Sequence, residues 1–179
     1  INGYEFSKSG DRLLVYTNSK RVWRQNSRGD YWVLDRSAHE LRQLGGSSPP
    51  STLQFAKLSP VDAKAAYLRD NNLYVEDLRS GKITRLTSDG TENVVNGTFD
   101  WVYEEEFHLR DGFRWSDDGQ SIAYWQIDTT GVPRFTMVDN TSSMYPTTTT
   151  FAYPKTGQQN PACRVGVVAA EGGETRWLD

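Results

Sequence analysis

The sequence of 179 residues contains little cysteine and little histidine. Cys163 is the single cysteine, which excludes an internal disulfide and a cluster of cysteine metal ligands. His39 and His108 are the only histidines, too few for a typical histidine-rich zinc site. We therefore predict no metal and no cofactor, and we interpret Cys163 as a small core residue.

Long apolar runs and a strong charge of either sign are also missing. No segment approaches the ~18–20 apolar residues that a membrane helix needs, and the mean hydropathy is −0.68. Lys and Arg total 20, Asp and Glu total 23, and the net charge is −3. With no basic run, this composition argues against a nucleic-acid partner. The length suits one domain with a core, and because the chain begins at Ile1 we expect it to be part of a longer polypeptide.

One local pattern occurs three times, in residues 6–16, 55–67 and 113–125. Each copy has an aromatic strand end, a Ser-x-x-Gly-type turn and a strand that alternates apolar and polar residues. A second strand is predicted after each copy, at residues 31–35, 73–78 and 135–139. Short antiparallel strands that recur about every fifty residues are typical of propeller blades. We predict an all-β fold, a partial β-propeller of about three blades with four antiparallel strands each; a β-sandwich of hairpins is the alternative.

The blade-like units are predicted at about 1–46, 51–90 and 110–179, with a short helical insertion at about 98–109. Residues 19–30 are polar and basic, and we interpret them as an interruption of the first unit. Closed propellers need about four to eight blades to hide their strand edges. Three blades would leave edges exposed, so we predict that the chain self-associates.

The helical insertion contains the stretch 100–107, in which three consecutive glutamates lie among aromatic and apolar residues. In its simplest interpretation Asp100 is the N-cap of a short helix whose acidic first turn complements the helix dipole. The aromatic neighbours indicate instead an element docked on an apolar surface, with its acids at the edge of a cavity. Because successive helical side chains point about 100° apart, Glu105 and Glu106 can converge on one ligand only at a helix end or in a distorted turn. An ammonium group is the obvious cation for such a pair.

Three stretches together resemble the dipeptidyl peptidase IV-like serine peptidases of the prolyl oligopeptidase clan. The stretch 100–107 is similar to that family's double-glutamate motif, and Trp23-Arg24-Gln25 is similar to the loop whose arginine enters the active-site cavity. The stretch 153–161 matches the family's Tyr-Pro-Lys-x-Gly-x-x-Asn-Pro. The resemblance covers nearly the whole chain.

This resemblance implies a propeller joined to a C-terminal α/β-hydrolase domain, with the active site between them. Such enzymes release Xaa-Pro or Xaa-Ala dipeptides from peptides with a free N-terminus. Carried onto this chain, Glu105 and Glu106 hold the substrate's α-ammonium, and Arg24 binds the carbonyl oxygen of the first peptide unit. The implied partners are the peptide substrate and the hydrolase domain, and the implied location is extracytoplasmic: periplasmic, secreted or membrane-anchored.

The sequence departs from a complete enzyme of this kind. It contains no Gly-x-Ser-x-Gly nucleophile elbow, and neither histidine lies in a recognisable triad context. We therefore predict no catalytic residue in this chain and no peptidase activity of the fragment alone. Two alternatives remain: a non-catalytic propeller that serves as a protein-interaction module, and a sugar-binding or glycosidase propeller that uses Glu105 with Asp100 or Asp128.

Overall fold

The computed structural model describes residues 1–178, in which short antiparallel strands predominate. The strands are β1 (Gly3–Phe6), β2 (Arg12–Arg21), β3 (Asn26–Asp35), β4 (Glu40–Gln43), β5 (Leu53–Leu58), β6 (Lys64–Arg69), β7 (Asn72–Asp77), β8 (Ile83–Arg85), β9 (Val94–Asn96), β10 (Phe113–Trp115), β11 (Ser121–Asp128), β12 (Arg134–Asp139), β13 (Thr147–Ala152), β14 (Ala162–Ala169) and β15 (Arg176–Leu178). The helix α1 (Trp101–Phe107) follows β9. Across these residues, no helical segment has the length and hydropathy required to cross a bilayer.

Strands β1 to β8 form one antiparallel sheet in which two four-stranded units are joined. Strands β1 to β4 pair consecutively, and so do β5 to β8. The join is β3, which pairs with β4 along residues 32–35 and with β5 at Arg28 and Gly29. One long strand therefore fixes the first unit against the second.

The third unit contains β10, β11, β14 and β15 in antiparallel order, and β9 pairs with the last residues of β11. The predicted fold, units of four antiparallel strands with a short helical insertion, is confirmed. Within residues 1–178 the sheets do not close on themselves. The limits of the units, 1–46, 51–90 and 110–179, stay a prediction.

The turn predicted in all three units recurs with the same hydrogen bonds. Its first residues are Ser7, Ser59 and Ser116. In each turn the serine N–H donates to the carbonyl oxygen of the residue five positions later, at 2.8–2.9 Å, and the serine hydroxyl accepts from the N–H of that residue, at 3.0–3.2 Å. The third residue after the serine has a positive φ and is Gly10, Asp62 or Gly119. Because Gly adopts this conformation freely and Asp tolerates it, the local sequence is sufficient to form the turn.

The second unit is buried on both faces, which explains how the units stack. On β6, Ala65 and Tyr67 belong to a cluster shared with the first unit, whereas Ala66 and Leu68 belong to a cluster shared with the third. All four side chains are fully buried. Alternate residues of a strand point to opposite faces, so one strand contributes to both cores.

The prediction for the second strand of the third unit was wrong. Residues 134–139 do form a strand, β12, but β12 pairs with β13, and β14 pairs with β11 over residues 121–128. The side chains of β12 are exposed at nearly every position, so β12 does not pack into the core of the unit. Strand β14 instead buries Val168 in the core.

The interpretation of residues 19–30 as an interruption was also wrong. Both β2 and β3 continue through most of this segment and form a long hairpin whose turn is 22–25. The Tyr16 hydroxyl lies within hydrogen-bonding distance of the carbonyl oxygens of Arg28 (2.8 Å) and Asn26 (3.0 Å), and its one proton is donated to this pair. The base of the hairpin is thereby held, and Arg24 is placed at its tip.

Candidate functional site

Helix α1 is short because both of its ends are capped. The Asp100 carboxylate accepts from the N–H of Tyr103 at 3.3 Å, so the predicted N-cap is confirmed. At the other end His108 has a left-handed backbone (φ 57°), and its N–H donates to the carbonyl oxygen of Glu104. The N–H of Leu109 donates to the carbonyl oxygen of Tyr103, as in a Schellman motif. Glu105 and Glu106 consequently lie in the last turn of the helix.

The three consecutive glutamates have three different environments. Glu104 is buried and forms an ion pair with Arg110 at 3.3 Å. Glu105 is partly buried and is bound by Arg24 from the hairpin tip: Nε donates to Oε2 at 2.6 Å, and Nη2 lies 2.5 Å from Oε1. Glu106 is exposed. The structure therefore brings together Arg24 and Glu105, and the binding roles of Arg24, Glu105 and Glu106 stay predictions.

The guanidinium of Arg24 is held in a two-point contact and still has free donors. Its hydrogen bond to Glu105, and then the charge of that carboxylate, raise the pKa of Arg24, so it stays cationic. A guanidinium has five N–H donors, and Glu105 accepts from only one edge of the group. Among residues 1–178 the other edge has no hydrogen-bond partner, so it can donate to a carbonyl oxygen. Because 72% of the Arg24 side chain is exposed, solvent screens this ion pair, and its net contribution to stability is small.

An aromatic bridge, defined here as Trp23, Phe151 and Trp101, joins the hairpin tip to the start of α1. The ring centroid of Phe151 lies 5.3 Å from that of Trp23 and 5.7 Å from that of Trp101. Tyr153 stacks on Trp101 at 4.3 Å. Full burial of a phenylalanine contributes about 1.5–3 kcal/mol. The apolar contact, more than the screened ion pair, therefore holds the two elements together.

The bridge gives a structural reason for two patterns in the sequence. The aromatic residues next to the acidic stretch predicted docking on an apolar surface, and Trp101 does dock on Phe151 and Tyr153. Tyr153 opens the stretch 153–161, so this stretch packs against the helix that carries the glutamates. Sequence reasoning missed Phe151, because it follows four threonines in an otherwise polar strand.

A cavity of about 250 Å³ lies beside the bridge, lined by Trp23, Phe55, Asp100, Trp101 and Phe151 among others. Asp100 is 9% exposed, and its burial raises the pKa of its carboxyl group. One carboxylate oxygen of Asp100 has no hydrogen-bond partner among the described residues. Asp100 therefore lines the cavity, and its unpaired oxygen is buried away from solvent.

A second, more open groove of about 500 Å³ is lined by Trp101, Glu106, Phe135, Tyr153 and Lys155 among others. Glu106 therefore borders a concave surface, as an anchor for a ligand requires. The carboxylates do not make a metal centre: in the part of the chain that the structure describes, no three His, Cys, Asp or Glu side chains are grouped closely enough to hold a metal ion.

The interpretation of Cys163 as a core residue was wrong. Cys163 lies on β14 and is exposed. Its thiol neighbours the Tyr103 side chain of α1. Burial, and then the hydrogen bond to the Cys163 thiol, raise the pKa of Tyr103 to about 12. Tyr103 therefore lies beside β14 of the third unit.

Fold and site together define a segment of β-propeller that carries an arginine hairpin and an acidic helix. The family model described as the dipeptidyl peptidase IV (DPP IV) N-terminal region matches residues 7–179, and the chain belongs to this family. The resemblance found in the three motifs is thereby confirmed.

Known relatives agree with this assignment. The chain is 36% identical over 167 residues to a protein of Chaetomium globosum named "Probable dipeptidyl-aminopeptidase B", which covers 87% of this chain and 18% of the relative. A protein of the same name from Arthroderma benhamiae is 34% identical over 179 residues, with 93% and 20% covered. The crystal structure of Porphyromonas gingivalis dipeptidyl peptidase 4 superposes with a TM-score of 0.90 at 27% identity, over 98% of this chain and 25% of that one. The chain spans about a fifth of the length of the curated relatives it matches.

Proposed function

We propose that this chain is the part of a dipeptidyl peptidase that recognises the free N-terminus of the peptide substrate. The longer protein is a serine exopeptidase that releases Xaa-Pro or Xaa-Ala dipeptides, and its catalytic residues belong to a C-terminal α/β-hydrolase domain outside this chain. Family membership and the names of the relatives support this proposal. The observation that carries it is the two-point contact between Arg24 and Glu105 at the end of the acidic helix.

The charges in the site suit an α-ammonium group. A free peptide N-terminus has a pKa of about 7.7–8.0 and is largely cationic at neutral pH. Glu105 and Glu106 contribute two negative charges at the end of α1, and Arg24 offsets one of them. One negative charge remains for the incoming ammonium, and Glu106 is exposed beside the groove that would admit it.

Arg24 supplies the second contact to the substrate. Its edge that faces Glu105 is occupied, and its other N–H groups can donate to the carbonyl oxygen of the first peptide unit. Two anchors at a fixed separation determine how far the bound peptide extends toward the nucleophile. The enzyme would therefore cleave after the second residue of the substrate. A peptide with a blocked N-terminus leaves a carboxylate without its cation and is rejected.

Kinetics in the full-length protein test this function. Glu105→Gln, Glu106→Gln and Arg24→Ala should each lower kcat/KM for a Gly-Pro or Ala-Pro chromogenic substrate by about two orders of magnitude or more, since substrate positioning depends on them. Glu40→Gln on β4 is the matched control, because Glu40 is also an exposed glutamate and is predicted to leave kcat/KM unchanged. Unaltered kinetics in both glutamate variants of α1 would reject the proposed role.

A second candidate function is that of a protein-interaction module that binds another copy of this chain. The observation that favours it is the exposed apolar surface of the β12–β13 hairpin, where Met137 is 49% exposed and Val138 is 57% exposed. Exposed apolar surface of this kind marks contact sites. The unclosed sheets also present strand edges that another copy could pair with.

A further inference from the structure

We propose that Phe151 is a positioning residue, which holds the hairpin tip against α1 and so sets where Arg24 stands relative to Glu105. The consequence for substrates rests on the proposed function. The positioning itself is a property of the fold and is testable without any substrate.

The hairpin formed by β2 and β3 is attached to the rest of the molecule at its base and at its tip. At the base, Arg28 and Gly29 of β3 pair with β5, and the pairing of β2 with β3 is irregular between Thr17 and Arg21. At the end, Trp23 packs on Phe151 and Arg24 binds Glu105. The arginine of the ion pair is 72% exposed and therefore screened by solvent, so the aromatic contact is the stronger constraint on the tip.

Phe151 is suited to this role because it contacts both partners at once. It is 7% exposed, whereas the four preceding residues of β13 are exposed. Its ring packs on Trp23 of the hairpin and on Trp101 of the helix. Trp101 and Glu105 are four residues apart and therefore lie on the same helical face. A single side chain thus contacts both of the elements that carry Arg24 and Glu105.

Chemical crosslinking measures the position of the tip directly. In a Cys163→Ser chain, Arg24→Cys and Glu105→Cys provide two thiols for a short bismaleimide, and the rate of intramolecular crosslinking reports how often the tip lies on the helix. Adding Phe151→Ala should lower this rate about tenfold, which corresponds to about 1.4 kcal/mol. Phe151→Tyr, which keeps the ring, should retain the rate.

A control separates positioning from loss of stability. Val168 is 1% exposed in the core of the third unit and does not belong to the bridge. Val168→Ala should lower the Tm but leave the crosslinking rate unchanged at a temperature where every variant is folded by near-ultraviolet circular dichroism. A rate that is unaffected by Phe151→Ala, or that falls equally with Val168→Ala, would overturn the positioning role.

Kinetics then separate this inference from the proposed function. In the full-length protein, Phe151→Ala should raise KM for Gly-Pro substrates with a smaller change in kcat, and Phe151→Tyr should restore KM. Slow crosslinking together with an unchanged KM would support the positioning of the tip and refute the assigned binding role of Arg24. Fast crosslinking in Phe151→Ala would refute the positioning, whatever the kinetics of Glu105→Gln.

Discussion

Lys57 anchors the acidic helix insertion to the second unit, and we expect it to make stability depend on pH. Its ammonium forms an ion pair with Asp111 and lies 3.6 Å from the ring centroid of Phe113. Asp111 forms a bridge with Thr98, and these two residues close the base of the insertion that contains α1. Burial is the main cause that lowers the pKa of Lys57 from its ordinary 10.5 to about 8, and the Asp111 carboxylate offsets only part of it.

The sign and the size of the effect follow from these two pKa values. Between pH 8 and pH 10.5 the unfolded chain binds a proton at Lys57 that the folded chain has released, so the contribution of Lys57 to the free energy of unfolding rises with pH. Each unit of the difference corresponds to about 1.36 kcal/mol, and between pH 8 and pH 10 the gain is about 2 kcal/mol. This stabilisation is complete above pH 10.5 and is lost as the pH falls through 8.

The assay is urea unfolding followed by tryptophan fluorescence at pH 8 and pH 10. Lys57→Met lacks this contribution, so the stability of the chain relative to Lys57→Met should rise by about 2 kcal/mol between pH 8 and pH 10, while Asp111 keeps its ion pair with Arg114 at 3.0 Å. Lys8→Met is the matched control, because Lys8 is exposed and is predicted to follow the unchanged chain. Parallel curves of stability against pH for the chain and Lys57→Met would show that the pKa of this lysine is not lowered, and would refute the reasoning.

Three further predictions concern the hairpin, the cap and self-association. A Cβ atom at Gly29 would lie 2.2 Å from a ring atom of Tyr16, so Gly29→Ala should lower the free energy of unfolding by about 1–3 kcal/mol in urea titrations; equal midpoints would contradict this. Asp100→Ala should cost about 1 kcal/mol through loss of the N-cap. Because burial raises the pKa of Asp100, the Tm of Asp100→Asn at pH 7 should be at least as high as that of the original chain. As the pH falls toward 4 the buried carboxyl group takes up a proton, so the Tm of the original chain should rise relative to that of Asp100→Asn. Size-exclusion chromatography with light scattering should show oligomers that Met137→Ser with Val138→Ser weakens; a monomer at every concentration would reject self-association.

The parts of the fold that the sequence predicts are those with a local cause. The turn that begins at Ser7, Ser59 and Ser116 needs only a serine and a residue that tolerates positive φ, and it was predicted in all three units. The second strand of the third unit was misassigned, because β12 and β14 differ in burial and hardly in β-propensity. Whether a strand is covered depends on the rest of the chain, which no local pattern contains.

The candidate site shows the same division between local and distant causes. Asp100 was predictable as a cap, since a cap acts within one turn of its own helix. The contact of Arg24 with Glu105 joins residues far apart in the chain, and it was expected from the resemblance to a family and not from spacing. Phe151 offered no signal, because its neighbours on β13 are threonines and its partners lie on two other elements.

The three consecutive glutamates do not share one function, because helical geometry points their side chains in different directions. Successive side chains point about 100° apart, so three neighbours cannot face one ligand. Glu104 points into the protein and pairs with Arg110, which fixes the rotation of α1 about its axis. Once that rotation is fixed, Glu105 must face the hairpin tip, where Arg24 binds it, and Glu106 must face solvent. Under the proposed function, Glu104→Gln should therefore weaken binding of the peptide indirectly, by releasing the helix, whereas Glu106→Gln should remove the one carboxylate of the three that is left for a cation.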